Sequence, residues 1–138
     1  MTLLPMTFVV PGKPVGKQRA RVVFGSRGVR TYTPDETVRW ENAVKVFARD
    51  AGITLTDGVF SVDVMVARAV PKSWSKKKKA TALEGYYAPG KPDLDNIIKA
   101  VLDGLNGVVW HDDSQVAQVH ANRAYGDEDF VRITVQLV

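Results

Sequence analysis

The chain contains no cysteine. This absence excludes a disulfide framework, a thiolate nucleophile and cysteine-based zinc or iron–sulfur sites, so any metal ion must be bound by oxygen or imidazole. Long apolar runs are also missing, since no stretch approaches the roughly 20 apolar residues that a membrane helix needs. Residues 1–10 lack the basic start and long apolar core of a signal peptide. We therefore expect a cytoplasmic protein that does not associate with a membrane.

The length and composition predict one ordinary globular domain. The 138 residues include 45% apolar and 25% charged residues, and no internal repeat or low-complexity tract is visible. These values are typical of a soluble protein with a hydrophobic core rather than of a disordered chain. We expect a single domain over residues 1–138.

The charges are distributed unevenly along the chain. Residues 1–91 contain 16 lysines and arginines against 7 acidic residues, whereas residues 92–138 contain 3 against 8. Basic residues that hold phosphates and an acidic centre that holds a metal ion are what a nuclease requires. Chance alone explains such an asymmetry about equally well.

Hydrophobic periodicity divides the chain into strands and helices. The predicted strands cover residues 6–10, 59–70, 108–110, 115–125 and 130–138, and the predicted helices cover residues 34–50, 75–84 and 94–105. Together they predict an α+β fold, in which a small mixed β-sheet packs against helices.

Finer features of these elements follow from local patterns. Thr33, Pro34 and Glu36 have the spacing of a capping box at the start of the first helix. Alternation in the last two strands predicts the residues that face the core. These are Ala117, Val119 and Ala121 in one strand, and Val131, Ile133, Val135 and Leu137 in the other.

Two basic segments are candidates for phosphate binding. Residues 11–32 are rich in glycine, proline and basic residues, which predicts a long functional loop or ribbon. Four lysines occupy the first turn of the second predicted helix, where they oppose the helix dipole unless an anion is near, although a solvated lysine face is at least as common. The candidate DNA-contacting residues are Lys13, Lys17, Arg19, Arg21, Arg27, Arg30, Lys72, Lys76, Lys77, Lys78, Lys79 and Lys91.

Two acidic pairs are the candidates for a metal site. Asp95, Lys99 and Asp103 share the face of the helix over 94–105 that lies opposite its apolar stripe, and Asp93 stands at the helix entrance. Asp112 and Asp113 follow the next short strand, so a tight reversal can bring them back toward the helix. Carboxylates that meet at one point repel each other unless a divalent cation such as Mg²⁺ or Mn²⁺ lies among them.

Each of these residues also has a purely structural interpretation. Asp93 can be a helix cap, and Asp112-Asp113-Ser114 can be an ordinary polar turn. Lys99 can form an ion pair with Asp95 one turn away. His111 and His120 are expected to be plain turn or strand residues.

The full set of motifs resembles the RusA family of Holliday-junction resolvases. The resemblance rests on the helix motif Asp93-Leu94-Asp95-Asn96-Ile97-Ile98-Lys99, on the element Asp112-Asp113-Ser114-Gln115-Val116, and on the upstream segments GKQRARV and GVRTYTP. A departure from some members is the segment Gly90-Lys91-Pro92, where those members have several arginines. The likeness spans nearly the whole chain.

The resemblance implies a specific chemistry. It implies that Asp93, Asp95 and Asp113 are catalytic carboxylates that bind Mg²⁺, or Mn²⁺ in its place, with Asp112 as a less certain neighbour. It also implies that Lys99 is the family's essential lysine. The expected protein is a homodimer that cuts four-way DNA junctions by paired symmetric nicks in recombination and repair. The alternatives are a nuclease for other branched or flapped DNA and a DNA-binding protein without catalysis.

Overall fold

The computed structural model describes residues 4–18, 21–32 and 34–138. A 3₁₀ turn, Asp113–Gln115, precedes the fifth strand. In chain order the strands and helices are β1 (Met6–Pro11), β2 (Arg21–Gly25), β3 (Gly28–Tyr32), α1 (Asp35–Asp50), β4 (Phe60–Ala69), α2 (Lys76–Leu83), α3 (Leu94–Leu105), β5 (Val116–Gly126) and β6 (Phe130–Leu137).

Four of the strands form one mixed sheet, which confirms the predicted α+β class. Their order is β1-β6-β4-β5. β4 pairs in parallel with β5, whereas β6 is antiparallel to both β4 and β1. Because parallel neighbours cannot be joined by a hairpin, the chain between β4 and β5 must cross over the sheet. α2 and α3 lie in this crossover.

The core lies between one face of this sheet and the helices α1 and α3. The alternating valines of β4 and β6 are buried, and the helical stripes contribute Trp40, Val44, Ile97 and Val101. A Cβ atom on Gly104 would lie 3.2 Å from the carbonyl oxygen of Glu41, so α1 and α3 pack closely at this glycine. The apolar faces of α1 and α3 therefore line the core.

Lys45 of α1 stabilises the last turn of α3. Its ammonium donates to the carbonyl oxygens of Gly104 at 2.6 Å and Asn106 at 3.4 Å, which are acceptors that the helix itself leaves unpaired. The two helices are thus joined by apolar packing and by a cation at the negative end of the α3 dipole.

The predicted strand over residues 108–110 is wrong. This segment is a buried turn in which the Val108 N–H donates to Leu105, and its only bridge joins Asn106 to Trp110. Trp110 packs edge-to-face on Phe60, and its indole N–H donates to Asn106 at 2.8 Å. The apolar run therefore reflects burial at the end of α3 rather than pairing in a sheet.

Some predicted inward-facing residues are exposed. Ala117 and Val119 lie in β5, an edge strand that pairs only with β4, and both are exposed, whereas Ala121 packs on the core. Leu137 is also exposed, because it pairs with Phe60 at the very end of the sheet. The alternation correctly identified the remaining inward residues of β6.

The first helix begins later than its capping pattern indicated. α1 starts at Asp35 with Pro34 at the N-cap position, and no side chain caps it. Thr33, the expected cap, lies outside the described residues. Two acidic residues in the first turn instead interact favourably with the helix dipole.

The basic segment before α1 contains a ribbon, as expected. β2 and β3 form a separate two-stranded antiparallel sheet whose described side chains are exposed on both faces. Phe24 is the most exposed of its apolar residues, with 80% of its surface accessible. No helix within the described ranges is long and apolar enough to cross a membrane.

Candidate active site

Two arginines hold the segment that leads into α3. Arg123 of β5 donates to the carbonyl oxygen of Pro92 at 3.1 Å, and Arg68 of β4 donates to that of Lys91. Arg68 also forms an ion pair with Asp129, with 3.0 Å between Nε and Oδ1. The start of α3 is therefore fixed at the carboxyl ends of the parallel pair β4 and β5.

Asp93 and Asp95 are exposed at this helix start. Asp93 occupies the N-cap position, but its side chain makes no capping hydrogen bond, so the interpretation as a simple cap is not supported. Its Oδ1 lies 3.7 Å from the ammonium of Lys91, and Asp95 accepts from the adjacent Asn96 N–H at 2.9 Å. The positive end of the α3 dipole favours two carboxylates at this position.

A cleft of about 640 Å³ opens beside Asp93. One wall is the loop over residues 13–18, which lies directly on α3: a Cβ on Gly16 would be 3.0 Å from the Cβ of Asn96, and the Lys17 N–H donates to Asn96 at 2.8 Å. The charged residues that line the cleft are Lys13, Lys17, Glu36, Arg68, Lys91 and Asp93. Lys13 and Lys91 are the exposed cations among these residues, and their charge beside Asp93 suits the binding of phosphates.

Lys17 is partly buried and paired with two carboxylates. Its ammonium lies 2.7 Å from Glu41 and 3.2 Å from Asp103. Burial opposes its charge, but the hydrogen bonds and negative charges of these two carboxylates outweigh burial and raise the pKa of Lys17. Lys17 therefore links the loop over residues 13–18, the basic loop, to α1 and α3.

Because of this pairing, Asp103 does not share the exposed face of α3 that was predicted for it together with Asp95 and Lys99. Asp103 turns to Lys17, whereas Asp95 and Lys99 stay exposed. Across the residues that the structure describes, no carboxylate lies within 4.0 Å of the Lys99 ammonium, so the alternative ion pair with Asp95 is not formed.

Asp112 and Asp113 have different roles in the turn before β5. Asp112 accepts from the Ser114 N–H at 3.0 Å, and hydrogen bonds from Ser114 lower the pKa of Asp112. Gln115 fixes the same turn by donating to the carbonyl oxygen of Gly58 at 3.0 Å. The side chain of Asp113 makes no hydrogen bond within the described residues. Asp112 thus stabilises the turn, whereas the carboxylate of Asp113 remains available to bind a ligand.

The two acidic pairs lie at opposite ends of α3. Asp93 adjoins Pro92, which contacts Arg123, while Asp113 lies just before Val116 at the start of β5. The seven residue steps of extended strand from Val116 to Arg123 span about 23 Å. Within the described ranges, no three acidic or histidine side chains come close enough to hold a metal ion. The expected convergence of both pairs does not occur within one chain, because α3 runs antiparallel to β5.

The other predicted DNA contacts lie on exposed surfaces. Lys72, Lys76, Lys77, Lys78 and Lys91 are exposed, and so are Lys13, Arg27 and Arg30, while Lys79 is partly buried. Arg19 lies outside the described residues, and only the backbone of Arg21 is described. His111 lies 3.1 Å from Asp57 on the surface, and His120 is an exposed residue of β5.

Sequence comparisons relate the chain to known proteins. A sequence model of the family described as endodeoxyribonuclease RusA matches residues 11–137. A Bacillus subtilis (strain 168) protein, described as the uncharacterized protein YqaN, is 36% identical over 135 residues, which is 95% of each chain.

The chain belongs to the RusA family. Membership implies endonuclease activity on DNA that resolves Holliday junctions. The family resemblance noted in the Asp93–Lys99 helix motif and in the Asp-Asp turn is thereby confirmed.

The structure of this RusA-family chain adds site residues that no motif indicated. Arg68 and Arg123 lie toward the carboxyl ends of β4 and β5, and Asp129 lies in the turn before β6. Burial opposes ionisation of Asp129, but hydrogen bonds from Ala69 and Arg68, with the charges of Arg68 and Lys13, outweigh it and lower the pKa of Asp129. Only the charge of Arg68 and its place near a strand end could have suggested this role.

Asp129→Asn should destabilise the protein at neutral pH by about 1–3 kcal/mol, because it weakens a charge-assisted hydrogen bond. Since the folded-state pKa of Asp129 is lowered, its contribution is present above the ordinary aspartate pKa of about 4 and is lost as the pH falls through the folded value. The difference in unfolding free energy between wild type and variant should therefore shrink below about pH 4. Urea unfolding across this pH range measures it. Asp127→Asn, in the same turn, is the control, and a difference that is constant with pH would contradict the role of the pair.

Proposed function

We propose that this RusA-family protein is a homodimeric, Mg²⁺-dependent endodeoxyribonuclease that resolves four-way DNA junctions by paired symmetric nicks in recombination and repair. Mn²⁺ is the expected substitute. The observation that carries the proposal is the pair of exposed carboxylates, Asp93 and Asp95, beside a cationic cleft. The Asp93 side chain makes no helix-capping hydrogen bond that would occupy it. Oxygen ligands of this kind suit Mg²⁺ and Mn²⁺.

The separation of the acidic pairs supports a site shared between two chains. One protomer would supply Asp93 and Asp95 from the start of α3, and the partner subunit would supply Asp113. Asp112 would hold the turn that presents Asp113. Such an arrangement keeps the carboxylates apart in an isolated chain, which avoids their repulsion until a dimer and a cation assemble.

The chain's own residues would bind and orient the scissile phosphate. Lys13 and Lys91 line the cleft beside Asp93 and would hold the DNA backbone. Lys99 lies one helical turn beyond Asp95 on the exposed face, where its ammonium would stabilise negative charge that develops on the phosphate or on the leaving oxygen. When bound, the metal ion supplies an activated water and neutralises charge.

A dimer with two sites suits the proposed substrate. A four-way junction has approximate two-fold symmetry, and a C₂ dimer presents its two sites related by the same symmetry. Exposed Arg27 and Arg30 on the β2–β3 ribbon, together with the lysines of α2, extend the basic surface beyond the cleft. These cations would contact the junction arms through their phosphates.

Asp95→Asn and Asp113→Asn should each abolish cleavage of a synthetic four-way junction in Mg²⁺, because each removes a proposed metal ligand. Binding should stay equal or become tighter, since loss of negative charge does not weaken contact with phosphates. Cleavage gels with junction, flap and linear duplex DNA, with and without Mg²⁺, measure both activity and substrate class.

The control for these variants is Asp63→Asn, which alters an exposed carboxylate on β4. Normal cutting by both site variants would disprove the assigned site. Preferred cutting of flaps would favour the broader branched-DNA nuclease, and Mg²⁺-independent binding without any nick would favour a DNA-binding protein without catalysis.

A shared site predicts complementation between inactive variants. A heterodimer of Asp95→Asn with Asp113→Asn would contain one intact site and one doubly altered site, so it should nick one strand at about half the wild-type rate. Coexpression with two different affinity tags isolates this heterodimer, and a strand-specific label reports the nick.

The matched control is the heterodimer of Asp93→Asn with Asp95→Asn, which alters both sites and should stay inactive. If the first heterodimer is as inactive as the control while wild type cuts, the site lies within a single chain.

Lys99→Ala should slow the chemical step by about 10²–10³, the usual cost of one donor that acts in the transition state. Because Lys99 is exposed, the variant should fold and bind as wild type does. Lys99→Arg keeps the charge in a different geometry and should recover activity only in part. Single-turnover cleavage, a thermal melt and a binding titration separate these effects, and a wild-type rate for Lys99→Ala would remove Lys99 from the chemistry.

A further inference from the structure

A cluster of aromatic rings lies where α2 meets the carboxyl end of β5. Trp74 contacts Tyr125 edge-to-face with 5.3 Å between ring centroids, and it contacts Tyr87 in the same way at 6.1 Å. The ammonium of Lys78 lies 4.0 Å from the centroid of the Trp74 ring. These contacts tie Tyr87 to a partly buried support formed by Trp74 and Tyr125.

Two tyrosines of this region are displayed to solvent. Tyr86 is 75% exposed and Tyr87 is 44% exposed. Aromatic rings usually bury most of their surface, so two adjacent exposed rings beside an ordered aromatic support indicate a surface that receives a ligand. Neither tyrosine has a place in the proposed cleavage chemistry.

The cluster adjoins the candidate active site. Tyr125 lies two residues beyond Arg123, so both side chains are on the same face of β5, about 7 Å apart along the strand. Arg123 donates to Pro92, and Asp93 follows directly. The aromatic cluster and the start of α3 are therefore both anchored near the carboxyl end of β5.

The surrounding charge indicates what the tyrosines receive. Residues 70–91 contain six lysines and a single acidic residue, Glu84. No acidic residue lies in the first turn of α2, and Lys76, Lys77 and Lys78 are exposed there. Aromatic rings that alternate with exposed cations are the usual means of binding unstacked bases together with their phosphates.

We propose that Tyr86 and Tyr87, the latter supported by Trp74 and Tyr125, form a stacking surface for an unstacked base of the DNA substrate near the end of β5 that also holds the start of α3. This inference rests on the proposed function and adds a substrate feature to it. A branch point offers bases with an incomplete stack, and a continuous duplex does not. The tyrosines thus contribute selectivity for branched or single-stranded DNA that phosphate contacts alone cannot provide.

The test compares DNA forms in the absence of divalent cations, by fluorescence anisotropy with an oligothymidine strand, a four-way junction and a linear duplex. The double variant Tyr86→Ala with Tyr87→Ala should bind the single strand about 5–100-fold more weakly, as expected for the loss of one stacked base. Junction binding should also weaken, and duplex binding should change by less than about twofold. Since no charge is removed, the salt dependence should stay as in wild type.

Two further variants make the result specific to ring stacking. Tyr86→Phe with Tyr87→Phe keeps both aromatic faces and should bind as wild type does. Val46→Ala removes an equally accessible apolar side chain from α1 and should have no effect. Trp74 fluorescence supplies a second readout, because Trp40 and Trp110 are buried and a base on Tyr87 should quench Trp74 alone.

Several outcomes would overturn the proposal. Equal losses on single strand and duplex, or no loss on either, would show that the tyrosines do not stack on bases. A defect in the phenylalanine variant would assign the effect to the hydroxyl groups, and a shift to monomers in sedimentation would assign these rings to contact between protomers. Because binding is measured without cleavage, failure of the nuclease proposal would appear separately, as a wild type that binds but never cuts.

Discussion

The parallel pairing of β4 with β5 is the constraint on which the rest of the structure depends. Two parallel neighbours require a crossover, and this crossover must return the chain to the opposite end of the sheet before β5 can begin. α3 makes that return, so it runs antiparallel to both strands. Its first turn, with Asp93 and Asp95, therefore lies at the carboxyl ends of the strands, and its last turn lies at their amino ends.

This geometry accounts for the distribution of the acidic residues. At one end of the crossover, Arg68 and Arg123 hold the backbone that leads into Asp93 and Asp95. At the other end, Asp113 follows the buried turn in which Trp110 packs on Phe60. A single chain thus avoids placing three unpaired carboxylates together, an arrangement that costs free energy without a cation. If a second chain completes the site, assembly and metal binding become one coupled event.

The cations divide into two groups with different surroundings. Lys17, Lys45 and Arg68 are partly buried and paired with carboxylates or carbonyl oxygens, so their charges stabilise the packing of the basic loop, α1 and β4. The lysines at the start of α2 and the arginines of the ribbon are exposed. Counting basic residues does not distinguish these groups, because pairing depends on which acidic residues the fold brings near.

The sequence by itself determined the α+β class, the bounds of α3 and the identity of the motif residues. These depend on local patterns, namely the apolar periodicity that predicts the helix over residues 94–105 and the spacing of the family motif. Only the tertiary structure decided that the Asp93 side chain makes no capping hydrogen bond and that Asp112 is a turn residue. It alone decided that Lys17 pairs with Glu41 and Asp103, and that the two acidic pairs lie at opposite ends of α3. It also decided that residues 108–110 form a buried turn and that Ala117 and Val119 are exposed on an edge strand. The physical reason is that these properties depend on contacts between segments far apart in sequence. Apolar periodicity indicates that a residue is buried, but it does not indicate the partner against which that residue packs.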